Sequence, residues 1–587
     1  MNIFEKEKEK EKGTSETQHE DYIVEAEQEQ AKNIDVAKGK SSIRGMFENP
    51  YVTFVSFTAT LGGMIFGYDQ TITVSNVLAL ESFKNDFRDV LDADKKGIFV
   101  ASLLIAAIFG ALIGGPAADN KHLGRKWFIS LSLCIFVLGA TIQTAAQSIA
   151  WLYGGRVVAG LAVGALTECI PMYISECTPT NLRGSLVCVQ QLSITFGIMV
   201  SYWITYGTSF IGSKYCNPEL GSKGQYTGEP NAGQKAPSFD PKHDLPSDGI
   251  CRQSDASWII PFAIQILPAL VLWVALFFMP RSPRFLLSIG KEDEARATLA
   301  KLRRRDAQDQ VLNAELTDVK AEVIFEARVK EQYPHKGAIS KFSEPYKALF
   351  RAGNRKRLLC GALTMFLQQY LGGNAMIYYS PTILGQAGIQ GTSSTMIGTG
   401  VYGIVNFVAT IPIVLVVDKV GRKPLLIIGA AGCLVCHLIV ASLLASYNEQ
   451  LPQDVGYAAV VFIFLFCVFN AISFSPIGWL LPSEIFPLSL RSTGVSITTA
   501  VTWASNMVIG LATPSMMEDM TSYGTFYFFG AWAALALVFS IFVLPETKGL
   551  TLEEMDKAFP GGNNSLQDKE MMEQVYQELG YDATLDR

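Results

Sequence analysis

The sequence predicts an all-α membrane protein: twelve transmembrane helices in two six-helix halves, joined by a cytosolic helical linker. Three observations lead there. Of 587 residues, 49% are hydrophobic and 17% charged, with mean hydropathy +0.24, which is too apolar for an ordinary soluble protein of this length. The apolar residues come in blocks long enough to cross a bilayer. Finally, two charged stretches about 300 residues apart are near copies, Gly115 to Lys126 and Asp418 to Lys423. Both sit in tight links between apolar runs, so the chain reads as two copies of one membrane unit facing the same side.

Taken in order, the first 50 residues, with Glu and Lys alternating from Glu5 to Lys12, have no apolar core resembling a signal peptide and read as a disordered cytosolic tail. A bilayer core about 30 Å thick needs roughly 20 helical residues. Twelve blocks meet that length, at about 51–77, 98–117, 127–147, 151–173, 185–206, 258–279, 357–383, 395–417, 424–446, 457–481, 490–514 and 524–544. They divide into an N-terminal half over 51–280 and a C-terminal half over 357–545. Helical periodicity at Glu292 to Arg305 and Ala314 to Val329 predicts short cytosolic helices in the 281–356 linker, and 546–587 forms a cytosolic tail.

Orientation follows from the basic residues. Links after the even-numbered blocks carry Lys121, Arg125, Lys126, Arg183, Lys419, Arg422 and Lys423, and the linker carries Arg303, Arg304 and Arg305. Links around 148, 384–394, 447–456 and 515–523 carry no Lys or Arg, so that side is outside and both termini are cytoplasmic. The first outer link is mixed, with Lys84, Arg88, Lys95 and Lys96 among Asp86, Asp89, Asp92 and Asp94. Eight of the ten Cys lie in apolar blocks or on the cytoplasmic side. Cys216 and Cys251 instead fall in the polar outer loop at about 207–257, the oxidising side, and are expected to form a disulfide; the alternative is two free thiols.

Residues that could carry chemistry are those the bilayer penalises. Asp69, in Gly62 to Asp69 of block one, puts a carboxylate inside an apolar helix at a cost of at least ~2.5 kcal/mol. Gly62, Asp69 and Asn76 share a face, and Gly63 with Gly67 permits close approach of another helix. Arg156 of block four, on a face with Gly160 and Gly164, is the expected partner, at matching depth in the outer half. A carboxylate beside one cation in a low-dielectric cavity meets the requirement for proton coupling. A permanent structural ion pair is the alternative. Glu168 is a further acid in block four, expected near the cytoplasmic interface in a solvated or gating role.

Amides and indoles in the membrane point to the cargo. Block seven holds Gln368, Gln369 and Asn374, which would not share a face on an ideal helix; Gly372 and Gly373 let the backbone break and turn all three toward one cavity. Uncharged amides donate and accept at once, which suits a polyhydroxylated neutral ligand. Gln191, Asn406 and Asn506 add similar groups, and Trp479 and Trp503 offer flat apolar faces for a sugar ring. Taken singly, each of these residues is more often an interhelical hydrogen bond or a packing group; it is their convergence that points to a ligand. The five His are scattered, and no nucleophile motif, metal cluster, cofactor motif or phosphate loop stands out, so an enzyme is not expected. No metal, cofactor or nucleic-acid partner is expected, and the chain is expected to function as a monomer.

Several pieces together resemble the sugar porter family of the major facilitator superfamily: Gly-Gly-x-x-Phe-Gly-Tyr-Asp at 62–69, Gly-Arg-x-x-x-Gly at 155–160, Pro-Met-Tyr-Ile-Ser-Glu with Arg183-Gly184, Gln-Gln-x-x-Gly-x-Asn with Tyr378-Tyr379, Asp-Lys-Val-Gly-Arg-Lys, Ser-Glu-Ile-Phe-Pro at 483–487 and Pro-Glu-Thr-Lys-Gly at 545–549. They run in family order from about 50 to 558. The resemblance implies alternating access, sugar contacts at Gln191, Gln368, Gln369, Asn374, Asn406 and Trp479, and a coupling pair at Asp69 and Arg156. It also implies two cytoplasmic latches, Glu176 with Arg183 and Arg125 beside Asp119, and Glu484 with Arg491 and Arg422 beside Asp418. Ion pairs that close one side in one state and separate in the other supply the differential contacts a switch needs. The Gly-Tyr-Asp-Gln wording at 67–70 is most similar to fungal members, which implies a fungal plasma membrane.

The chain departs from the family pattern in places. Four residues separate Asp119 from Gly124 where two are usual, Arg281 stands where the family has Glu, and Leu371, Ser475 and Thr502 replace a usual Ser, Gly and amide. The expected function is import of a monosaccharide by proton-coupled symport. A facilitative sugar or polyol carrier and a non-transporting sugar sensor are the alternatives, the short C-terminal tail counting against the sensor.

Overall fold

The computed structural model describes residues 50–579 apart from 73–76, 89–92, 180–182, 229–238, 332–337, 387–391, 450, 488–489, 549–558 and 560–563. The N-terminal tail expected to be disordered, Asn76, and the stretch just before Arg183 lie outside the described residues, as does the Arg183 side chain.

Eleven described helices are long and apolar enough to cross a membrane: Pro50–Thr71, Gly97–Ala118, Gly124–Thr144, Ile149–Cys177, Gly184–Thr208, Ala256–Phe278, Ser394–Val420, Arg422–Ser446, Gln453–Ile485, Arg491–Met517 and Thr521–Val543. In chain order these are the first to sixth and eighth to twelfth segments. The seventh block is not one rod. It forms two helices, Ala352–Tyr370 and Gly373–Gln386, broken at Leu371 and Gly372. Basic residues at its start and the glycine pair in its middle keep either piece from being a continuous apolar span.

The outside of the bundle inverts a soluble protein. Phe109, Leu138, Trp151, Phe278 and Phe542 are exposed, Phe542 by 80%, as a hydrocarbon solvent requires. Within the N-terminal segments the first packs along the fifth, and the second along the fourth. The two halves meet along two seams, second segment with eleventh and fifth with eighth.

Small residues set these approaches. A Cβ added at Gly67 would lie 2.0 Å from Ile194 O, so only glycine lets the first segment touch the backbone of the fifth. Gly160 and Gly164 play the same role, but toward a different neighbour than expected. Their Cβ positions fall 2.3 Å from Leu103 O and 2.1 Å from Ala107 O, seating the fourth segment on the second rather than on the first. Arg156 and its glycines share a face, and that face belongs to the second segment.

Four helices fill the linker, Pro283–Ser288, Glu292–Arg303, Gln310–Glu331 and Ala338–Leu349, matching and extending the two expected. Arg303 binds Glu315 and donates to Cys177 O at 3.1 Å, tying the linker to the fourth segment. Arg284 binds Glu322 and Glu326. Burial opposes its charge, yet the carboxylates of Glu326, Glu322 and Glu176 more than offset this and hold it above the ordinary Arg value. A further helix, Asn564–Glu578, rests on the linker through Arg328 with Glu578 and Tyr576 with Asp318.

On the opposite face, Cys216 and Cys251 are joined by the expected disulfide. The loop they staple sits on the short helix Glu81–Asp86: Glu81 accepts from Cys216 N–H and from the Tyr226 hydroxyl, both at 2.7 Å, and Trp258 Nε1 donates to Asp86 at 2.9 Å.

Candidate functional site

The break in the seventh block organises the site. Gly372 sits at φ +89°, a conformation glycine adopts without penalty, and the helix restarts with Met376 N bonded to Gly372 O. Leu371 O, freed at the break, faces His437 Nε2 at 2.9 Å. The turn brings Gln368, Gln369 and Asn374 onto one cavity wall, the three residues an unbroken helix would have spread apart.

That cavity lies between the seams and is lined from the first, fifth, seventh, eighth, tenth and eleventh segments. All eight expected substrate residues, Gln191, Gln368, Gln369, Asn374, Asn406, Trp479, Trp503 and Asn506, line it. Of its eighteen lining residues eight are Asn or Gln, and none is Asp, Glu, Lys, Arg or His. The other ten liners were not named as substrate contacts, among them Phe66, Gln70, Tyr402 and Asn470. The signal for Gln70 and Asn470 was available, since each is an amide inside an apolar run.

Hydrogen bonds link the wall. Gln368 Nε2 donates to Phe474 O and Ser475 O at 3.0 and 2.9 Å, Gln369 Nε2 to Gln368 Oε1 at 3.3 Å, and Asn374 Nδ2 to Gln369 Oε1 at 2.5 Å. Gln70 Nε2 donates to Asn374 Oδ1 at 3.1 Å and to Tyr378 Oη at 2.9 Å; Tyr378 in turn donates to Asn506 Oδ1 at 2.9 Å. Gln70 thus joins the first segment to the seventh across the two halves. Trp479 keeps 8% of its surface open, whereas Trp503 keeps 1%. Phe66 stands edge-on over Trp503 at 5.0 Å, so Trp503 forms the floor behind Phe66 rather than an open face.

Asp69 and Arg156 do not line this cavity and are buried, 0% and 1% exposed. They are within Coulombic reach of each other, and both of the Tyr378 hydroxyl. Arg156 gives Nε to Phe99 O at 2.9 Å and Nη2 to Val100 O at 3.2 Å, and its guanidinium stacks over the Phe99 ring at 4.7 Å. The second segment therefore anchors the arginine, while Asp69 approaches from the first.

At the linker face, Arg125 binds Asp119 at 3.0 Å and Glu176 at 2.7 Å. The longer loop before Gly124 does not displace it. Arg422 binds Glu484 at 2.5 Å and Asp418 at 3.1 Å. Around these latches Ser282 donates to Glu176, Thr547 to Glu484 at 3.1 Å, and Glu546 accepts from the amides of Arg422 and Lys423 at the start of the ninth segment. Ser185 reaches across from the N-terminal half to Asp418 at 2.7 Å. Arg491 opens the eleventh segment, and the ion-pair partner of Glu484 is Arg422.

A family described as Sugar (and other) transporter matches residues 55–559. Proteins named probable quinate permease from Neosartorya fischeri and Aspergillus fumigatus are each 33% identical over 526 residues, covering 86% of this chain and 87% of the relative. The one from Aspergillus niger is 31% identical, with 86% and 88% covered. Among solved structures, the proton:xylose symporter XylE bound to 6-bromo-6-deoxy-D-glucose aligns with TM-score 0.66 at 24% identity, over 87% of this chain and 99% of that one. Inward-open XylE from E. coli aligns with TM-score 0.61 at 23% identity, over 87% and 100%. Those likenesses establish the fold, and the match over 55–559 establishes the family: the chain is a multi-pass membrane protein belonging to the sugar porter family, whose members are transporters and not enzymes.

Proposed function

We propose that the protein imports a monosaccharide across the plasma membrane by alternating access, coupled to protons. One observation supports this most: a cavity between the halves is walled by amides without a charged side chain, with Asp69, next to the lining residue Gln70, and Arg156 both buried within Coulombic reach of Tyr378, which bonds Gln70 and Asn506. The amides exchange hydrogen bonds with sugar hydroxyls, and a proton on Asp69 alters the charge beside the wall they share. The linker face with its arginine-rich loops is cytoplasmic, as are both termini. Arg125 with Asp119 and Glu176, and Arg422 with Asp418 and Glu484, close that side; Arg183 and Arg491 complete the latches.

The relatives' names favour a second reading, a quinate carrier. Quinate is a carboxylate. In this cavity it would meet no Lys, Arg or His among the described lining residues, and its lost hydration would go uncompensated. A neutral sugar keeps its hydrogen bonds. Uptake of labelled D-glucose, D-xylose and quinate by purified protein in liposomes decides between them. Saturable uptake of a neutral sugar that quinate does not inhibit is expected; saturable quinate uptake without sugar uptake would overturn the reading.

A further inference from the structure

Glu168 stands apart from both the cavity and the latches. It is 0% exposed, and among the described residues neither carboxyl oxygen has a partner in hydrogen-bond geometry. Its carboxylate is wedged where the halves meet: Oε2 and Oε1 lie 2.7 and 3.0 Å from the positions a Cβ would take at Gly114 and Gly115 of the second segment. The same space beside Gly115 holds Ser496 Oγ and Ser492 Oγ of the eleventh. The Ser496 hydroxyl lies alongside, outside hydrogen-bonding geometry.

Among the described residues, the charged and titratable groups facing it are Asp119 and Arg125 from the N-terminal latch, Tyr346 from the linker helix Ala338–Leu349, and Cys169 on its own segment. None neutralises it by contact. Arg125 is committed to Asp119 and Glu176, and the Tyr346 hydroxyl donates to Leu112 O at 2.6 Å. An ionised carboxylate closed in without a cation contact, with one serine hydroxyl beside it, is strongly disfavoured, while the acid form carries no charge to compensate.

The site is tied to the cavity above it. Ser496 and Trp503 are seven residues apart, two turns along one face of the eleventh segment. Trp503 Nε1 meets Thr167 Oγ1 at 3.4 Å, the residue beside Glu168. One strip of the fourth and eleventh segments therefore carries both the cavity floor and the closure over Glu168.

We propose that Glu168 is a second proton-binding site of this carrier, set on its cytoplasmic gate, filled while the halves are closed and emptied to the cytosol as they part. On opening, the O–H bond breaks, the proton passes to cytosolic water and the carboxylate becomes hydrated; closing reverses this. The inference rests on the alternating-access reading, and it makes inward opening easier at higher cytosolic pH.

The test uses the full chain with Cys134→Ser and Asp69→Asn in liposomes, carrying spin labels at the exposed positions His122 and Lys419, one on each half. The fraction at long separation is read against pH without substrate. A single linked proton moves the open-to-closed ratio by up to about tenfold per pH unit, so the parent rises with pH and Glu168→Gln stays within about twofold. Glu168→Met, similar in volume and uncharged, should be equally flat. Infrared difference spectra should show a buried carboxylic-acid band that Glu168→Gln removes and Asp69→Asn does not. A pH slope that survives in Glu168→Gln, or an acid band that remains, overturns the proposal while leaving the carrier reading intact. A gate that stays closed at every pH and with every sugar overturns both.

Discussion

Arg422→Ala removes the cation at the centre of the C-terminal latch. Its side chain is 5% exposed and holds Glu484 (20%) and Asp418 (24%). Breaking a fully buried pair costs about 3–5 kcal/mol. Since both carboxylates are partly hydrated, a discounted value of about 2–3 kcal/mol applies, and it falls on the closed state alone because the latch is separated in the open one. At 1.4 kcal/mol per decade, the open population rises about 30- to 150-fold. Cys188 reports it: the thiol is 0% exposed and lies within Coulombic reach of Asp418, Arg422 and Glu484. At fixed pH, a membrane-impermeant maleimide presented from the cytoplasmic side should modify Cys188 faster by that factor, read by peptide mapping, with Arg422→Lys intermediate. An unchanged rate would refute the view that this cluster holds the gate shut.

The other expectations are more local. Gln369→Ala removes a wall amide that would bond a sugar hydroxyl; a hydrogen bond lost to the substrate is worth about 0.5–1.5 kcal/mol, so the KM of sugar uptake should rise about 2- to 12-fold. Gly67→Ala places a Cβ 2.0 Å from Ile194 O and should lower the thermal midpoint by several degrees or abolish recovery of monodisperse protein, whereas Gly207→Ala, where a Cβ meets nothing within 4 Å, should be neutral. Glu81, under the outer loop, has its carboxyl raised by burial against the downward pull of Cys216 N–H, the Tyr226 hydroxyl and Lys84. A raised folded value makes its contribution largest below the ordinary carboxylate range and lost as pH climbs through the folded value. Wild-type thermal stability should therefore fall over that window, and Glu81→Gln should lack that component of the fall.

Local features of the chain carried much of this architecture. Apolar blocks fix helices because a bilayer offers the backbone no other partner, and the Gly372-Gly373 pair announced the break that gathers Gln368, Gln369 and Asn374. The pair Cys216 and Cys251 was marked by its compartment. Partner choice was harder to read. Gly160 and Gly164 reveal a close contact, but which helix makes it depends on how six segments wrap, and it proved to be the second. Gln70 next to Asp69 reads as part of the same polar patch; its bonds to Asn374 and Tyr378 span more than 300 residues and follow only from the meeting of the halves. Trp503 offered a flat ring in sequence, and Phe66 covers it in the fold.

Proton coupling through Asp69 is tested by the accumulation of labelled sugar in proteoliposomes under an inward proton gradient, wild type against Asp69→Asn, with equilibrium exchange measured in parallel. Gradient-driven accumulation is expected in wild type, and in Asp69→Asn exchange without accumulation. Equal accumulation in both proteins, or none in wild type despite rapid exchange, would contradict coupling through Asp69.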